Sequence, residues 1–188
     1  MSHGRPSQGE ESVRRCGIAV GSNVGDRLGN LRAGLAQLLK LLPSARLTAV
    51  APLFKTDPVD CLPGTQAFYN SVVEIECDLE PHGLREVTAE VERWSGRPDV
   101  RERHAPRTLD MDLLYCGDLT VNDKVLTIPH PRLAQRRFVL APLALIRPDL
   151  VLPGHSLSVQ DLLSALPPGH EVLRVAGPDW AGDTVQRQ

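Results

Sequence analysis

Apolar positions along this chain recur with two periods, and the alternation between them sets out the elements. A short apolar strand over 16–22 ends in Gly21-Ser22-Asn23-Val24-Gly25-Asp26, turn chemistry that closes a strand and opens a helix, with Asp26 placed as N-cap. Leu28, Leu31, Leu35, Leu38, Leu39 and Leu42 then repeat at three and four, predicting a helix that Pro43 ends. A second strand is expected over 46–54, a loop with Pro58, Pro63 and Gly64 over 55–66, and a third strand over 67–77. Leu84, Val87, Val91 and Trp94 give the buried stripe of a helix over 81–95, with Gly96 at its C′ position. An arginine-bearing loop over 97–106 leads into a fourth strand over 108–116, bounded by Gly117-Asp118.

The order βαββαβ predicts an α+β fold with a ferredoxin-like core, an antiparallel sheet carrying both helices on one face. Period two then assigns the faces. Tyr69, Val73, Ile75, Leu109, Met111, Leu113 and Tyr115 point to the helix side. Phe68, Asn70, Asp110 and Asp112 point to the other. Beyond residue 118 the pattern predicts a small ribbon around Asn122-Asp123, the rigid Pro129-His130-Pro131 turn and a helical stretch over 139–146. A short helix over 158–166 capped by Ser158 or Ser156 comes next, then a strand over 171–176. This C-terminal extension is expected to cover part of the free sheet face, giving αβα layers. Residues 1–14 read as a disordered tail, 15–177 as a single domain and 178–188 as a frayed tail.

Composition changes this picture little. The chain has 188 residues, a hydrophobic fraction of 41%, a charged fraction of 23% and a net charge of −2. That balance gives no bulk attraction to nucleic acid or to an anionic membrane, so phosphate recognition has to come from local arginines. No apolar run is long enough to span a bilayer, and no secretory signal is expected. Cys16, Cys61, Cys77 and Cys116 are scattered without C-x-x-C, which fits buried reduced thiols in a cytoplasmic protein rather than a zinc site. A monomer is expected.

The chemistry concentrates in Arg103-His104-Ala105-Pro106-Arg107-Thr108-Leu109-Asp110-Met111-Asp112-Leu113-Leu114. Two carboxylates side by side on a strand face repel, and a hard divalent cation relieves the conflict. Arg107 offers a planar fork of donors to the same phosphates. An isolated Asp-x-Asp is most often a solvated strand face. Its place after a basic loop and Arg107 turns the reading toward a metal–phosphate site.

This stretch resembles the signature of the 6-hydroxymethyl-7,8-dihydropterin pyrophosphokinases of the folate pathway, and the likeness runs from about Gly17 to about Leu166. It includes the Gly21-Ser22-Asn23 turn. The resemblance implies transfer of pyrophosphate from ATP to 6-hydroxymethyl-7,8-dihydropterin, with AMP as the other product. It implies two Mg²⁺ ions on Asp110 and Asp112, with Arg97 and Arg107 as catalytic phosphate donors. Glu92 matches a position near the adenosine sugar, and His130 and Arg136 match residues that reach the phosphates. Phe68 and Phe138 match the two rings that sandwich the pterin, Asn70 the amide that reads its edge, and Thr56 and Val59 residues that meet it from the long loop. Taken singly, His130 reads as a rigid turn, and Phe68 and Phe138 as core. His104 stands where a tryptophan is common, and Ala105, Asp99 and Val125 also depart from the pattern. These departures touch the closing contacts, where Arg101 and Arg103 can compensate.

Three rival classes share parts of this pattern. A metal-dependent phosphatase or nuclease could use the same acids without requiring Phe68, Asn70 and Phe138 together. An RNA-binding ferredoxin-like module predicts a basic aromatic sheet face, whereas this face carries acids. A regulatory small-ligand domain has no need of the Asp pair.

Overall fold

A computed structural model describes residues 13–58, 64, 66–96, 107–169 and 172–185. The expected core is present: β1 (Arg14–Ser22), α1 (Arg27–Leu41), β2 (Arg46–Val50), β3 (Leu53–Thr56), β4 (Phe68–Cys77), α2 (Pro81–Trp94) and β5 (Asp110–Cys116). Asp26 caps α1, its Oδ1 accepting from the Gly29 N–H at 2.9 Å, an arrangement that stabilises a helix by about 1 kcal/mol. Pro81 opens α2 at a position where its missing N–H costs nothing, and Gly96 stands just past its end at φ 89°, the left-handed conformation that glycine adopts without strain.

The sheet runs β5-β1-β4-β3 and ends on β8 (Val172–Ala176), with β2 also paired to β4. All these pairings are antiparallel. The expected second strand is two, because the ladder is interrupted at Ala51-Pro52, and proline cannot donate to it. The strand expected near the C-terminus is real and extends the sheet by pairing with β3.

Two cores lie on the two faces. Leu31, Leu35 and Leu38 of α1 and Leu84 and Val91 of α2 pack with Ile18, Val73, Ile75, Leu109, Met111 and Leu113. On the other face, α3 (Arg137–Ile146) and α4 (Val159–Ala165) cover Val72, Leu114 and Tyr115. Ser158 caps α4, accepting from the Asp161 N–H. A two-stranded ribbon, β6 (Val121–Asn122) with β7 (Thr127–Ile128), stands off the main sheet. Among the described residues no helix is long and apolar enough to cross a membrane.

Three expectations are corrected. Tyr115 belongs to the α3–α4 core, not the α1–α2 core. The β1–β5 register shifts between Gly17 and Ile18, so Tyr115 pairs with Gly17 while Leu113 pairs with Ile18. One extra residue in a strand reverses the face of the residues beyond it. Trp94 is 56% exposed, whereas Thr88 and Glu92 complete the buried side of α2. Within the end expected to fray from residue 178, Pro178–Val185 forms 3₁₀ turns broken at Gly182 (φ 65°), and Trp180 is buried. The Trp180 indole donates to the Ala51 carbonyl at 2.8 Å, and the Arg32 Nε donates to the Trp180 carbonyl.

Candidate active site

Where the second core stops short of one end of the sheet, a cleft of about 1280 Å³ opens. The ends of β1, β3, β4 and β5 form its floor, the last turns of α2 and the β6–β7 ribbon one side, and the start of α3 the other. Ten residues singled out from sequence line it: Thr56, Phe68, Asn70, Glu92, Arg107, Asp110, Asp112, His130, Arg136 and Phe138. Val59 and Arg97, with Arg101, Arg103 and His104, lie outside the described residues, as does Cys61.

Asp110 and Asp112 share a face of β5 because the register shift falls after them, so period two holds where it matters. Each is accompanied by a cation. The Arg107 guanidinium donates to Asp110 Oδ2 at 2.7 Å, and that of Arg136 reaches Asp112 Oδ2 at 3.4 Å. Burial opposes the charge on Arg107, but Asp110, Asp112 and Glu92 outweigh it and its pKa rises. Arg136 goes the other way. Burial and neighbouring Arg132 lower its pKa against the pull of Asp112, so added negative charge in the cleft would be welcome there.

His130 sits with Nε2 3.9 Å from Asp112 Oδ2. Its Nδ1 accepts from the Arg132 N–H at 3.2 Å, which leaves Nε2 to carry the proton in the neutral ring. Burial, with Arg136 and Arg132 close by, keeps its pKa below the usual range despite Asp112.

Among the described residues no cluster of three or more His, Cys, Asp or Glu forms a cage for an ion. Two carboxylates without a third protein ligand fit Mg²⁺, which keeps waters and takes further oxygens from phosphates. Both acids keep some exposure, 22% for Asp110 and 40% for Asp112, so they remain reachable.

The part of the cleft lined by Thr56, Phe68, Asn70 and Phe138 is different in character. The Asn70 amide donates to Thr56 Oγ1 at 2.7 Å, and both residues are nearly buried. Phe68 and Phe138 offer rings, and the Arg136 guanidinium lies 5.4 Å from the centre of the Phe138 ring. Flat faces beside a fixed amide suit an aromatic heterocycle with hydrogen-bonding edges.

Three contributions escaped sequence reasoning. Gly21 on β1 gives Asn70 its room, since a Cβ there would lie 2.7 Å from Asn70 Oδ1. Asn23 holds the Arg107 backbone. Arg132 and Lys124 add positive charge to the lining. The Gly-Ser-Asn turn was the visible signal for the first two; nothing in local pattern marked the others. Glu92 lines the cleft, but its Oε1 accepts from the Met111 backbone N–H at 2.8 Å, which its place in the motif does not suggest.

A ferredoxin-like α+β scaffold whose cleft combines paired carboxylates, flanking arginines, two phenylalanines and an amide defines a phosphate-handling class of protein that also takes a flat partner. The family model for 7,8-dihydro-6-hydroxymethylpterin-pyrophosphokinase (HPPK) matches residues 17–148. The chain belongs to this family. It is 39% identical over 157 residues to the 2-amino-4-hydroxy-6-hydroxymethyldihydropteridine pyrophosphokinase of Methylorubrum extorquens, covering 83% of this chain and 96% of that protein. The protein of the same name from Bacillus subtilis is 43% identical over 128 residues, covering 68% of this chain and 74% of the relative. A crystal structure of Plasmodium falciparum HPPK-DHPS with pteroate shares the fold, with a TM-score of 0.64 at 13% identity over 84% of this chain. The chain spans 41% of that longer polypeptide.

Proposed function

We propose that this protein transfers the pyrophosphoryl group of ATP to the hydroxymethyl oxygen of 6-hydroxymethyl-7,8-dihydropterin, releasing AMP, as a step of folate biosynthesis. The observation that carries this reading is that Asp110 and Asp112, with Arg107 and Arg136, line the same cleft as Phe68, Asn70 and Phe138. A nucleotide triphosphate and a heterocyclic alcohol are thereby brought to one reaction point.

In this reaction the hydroxyl oxygen attacks the β-phosphorus, the bond to the α-phosphate oxygen breaks, and the hydroxyl proton is released. Two Mg²⁺ ions on Asp110 and Asp112 would neutralise phosphate oxygens and lower the pKa of the incoming hydroxyl. Arg107 and Arg136 bind and orient the triphosphate, releasing their carboxylate partners as they turn to phosphate. His130 donates from Nε2 to a phosphate oxygen. Phe68 and Phe138 stack the pterin, and Asn70, locked by Thr56, reads its edge. Arg97 and Val59 are assigned by motif position, the first to phosphate and the second to pterin. Catalysis rests on alignment and on charge placed before the reaction begins.

Incubation with ATP, Mg²⁺ and the hydroxymethyl dihydropterin should yield AMP and the pterin diphosphate in equal amounts. Orthophosphate or ADP in place of AMP would favour a hydrolase or an ordinary kinase. Asp110→Asn should abolish turnover while leaving the melting temperature within a few degrees of wild type. Full activity in that variant would reject the metal assignment.

A further inference from the structure

Among the described residues β5 is an edge strand, paired with β1 on one side only. Edge strands leave backbone donors without a ladder partner, and a buried donor left unmade is destabilising. At Met111 the partner comes from a helix. Glu92, in the last turn of α2 and 5% exposed, accepts the Met111 N–H on Oε1 at 2.8 Å. Met111 lies between the two acids, and its own side chain is anchored on the opposite face in the α1–α2 core. The peptide unit joining Asp110 to Met111 is therefore held from two directions, by the core through the Met111 side chain and by Glu92 through the backbone. Both carboxylates hang from this short segment, so their separation depends on its orientation.

We infer that Glu92 is a positioning residue, whose carboxylate fixes the backbone between Asp110 and Asp112 and so sets the spacing of the two acids. This rests on the reading of those acids as the metal-bearing pair. It differs from a sugar contact, in which Glu92 would serve nucleotide affinity directly. The two roles differ in what they change, nucleotide affinity in one case and the geometry of the acids in the other. Accepting a backbone N–H needs only an oxygen in the right place, which glutamine also supplies. A kinetic role through the acids should appear in kcat and in the Mg²⁺ requirement, because partners that orient metal ligands typically change affinity or activity about 10- to 100-fold.

The test compares Glu92→Gln with Glu92→Ala in the full chain, with three readouts. Glu92→Ala should lower kcat about 10- to 100-fold and raise the Mg²⁺ concentration for half-activation, with the KM for ATP changed less than about threefold. Glu92→Gln should recover kcat to within about threefold of wild type. Hydrogen exchange at the Met111 amide should accelerate in Glu92→Ala and stay slow in Glu92→Gln, a readout independent of turnover. An increase confined to the KM for ATP, or equal loss in both variants, would overturn the proposal. So would unchanged Met111 exchange in Glu92→Ala. Glu92→Ala failing to fold would leave Glu92→Gln decisive: a loss of kcat there, at normal melting temperature, overturns it. Asp110→Asn run in parallel separates the two levels, since full activity there removes the underlying metal reading, whereas an inactive Asp110→Asn beside an unimpaired Glu92→Ala removes only this inference.

Discussion

Asn23 grips the backbone of Arg107 from both sides: its Oδ1 accepts from the Arg107 N–H at 2.6 Å, and its own N–H donates to the Arg107 carbonyl at 3.0 Å. The turn after β1 is itself braced, since the Asn30 amide donates to the Val24 carbonyl and to Ser22 Oγ. The entry to β5 is thus tied to a rigid turn on the neighbouring strand. Arg107 cannot wander while its side chain works in the cleft.

Asn23→Ala removes one arm of this grip and leaves the half-buried Arg107 N–H without its acceptor. Stability should fall by about 1–3 kcal/mol, and kcat by about tenfold or more through displaced Arg107 and Asp110. Urea unfolding and steady-state kinetics check the two effects. A variant with wild-type kcat and only lowered stability would confine Asn23 to folding.

Gly21→Ala places a methyl group 2.7 Å from Asn70 Oδ1. The Asn70 amide is not free to retreat, because it is bonded to Thr56 at 2.7 Å on the other side. Affinity for the pterin should drop about tenfold or more, and by more than affinity for ATP, because the added methyl meets Asn70 at 2.7 Å but Asp110 Cβ only at 3.9 Å, an ordinary van der Waals contact. Calorimetric titration with each substrate alone distinguishes this from general damage to the sheet.

Cys16, Cys77 and Cys116 are free, buried thiols on the α1–α2 side, with Cys16 and Cys77 sulfurs 4.0 Å apart. Hydrogen bonding with Cys116 and burial push the Cys16 pKa up, and hydrogen bonding with Cys16 and burial do the same for Cys77. A folded pKa above the unfolded value gives stability that is complete below the unfolded pKa, about 8.5 for a thiol. It is lost as pH rises toward the folded value. Unfolding free energy should therefore fall above about pH 8.5, by up to about 1.4 kcal/mol per pH unit for each such thiol. Cys77→Ala should show a shallower decline in denaturant titrations across roughly pH 8 to 10. In the native protein these three thiols should resist an alkylating reagent until denaturant is added, as peptide mapping by mass spectrometry will tell.

Much of the fold was legible because it depends on neighbours in the chain. The leucine spacing of α1, the Asp26 and Ser158 caps, the breaks at Pro43 and Gly96, and the shared face of Asp110 and Asp112 all arise from local geometry. So does the gathering of Phe68 and Asn70 near those acids, once the βαββαβ order places β4 and β5 on either side of β1. What only the tertiary structure decided involves partners far apart in sequence. The shifted register that turns Tyr115 to the second core, where its hydroxyl donates to Glu74, depends on how β1 and β5 pair. The burial of Trp180 depends on the Ala51 carbonyl, which accepts from its indole as well as from the Ser71 hydroxyl. The attachments of Asn23 to Arg107 and of Glu92 to Met111 join segments 84 and 19 residues apart. Periodicity reports which way a side chain points, but hydrogen-bond partners are chosen by distances that exist only after the chain has closed on itself.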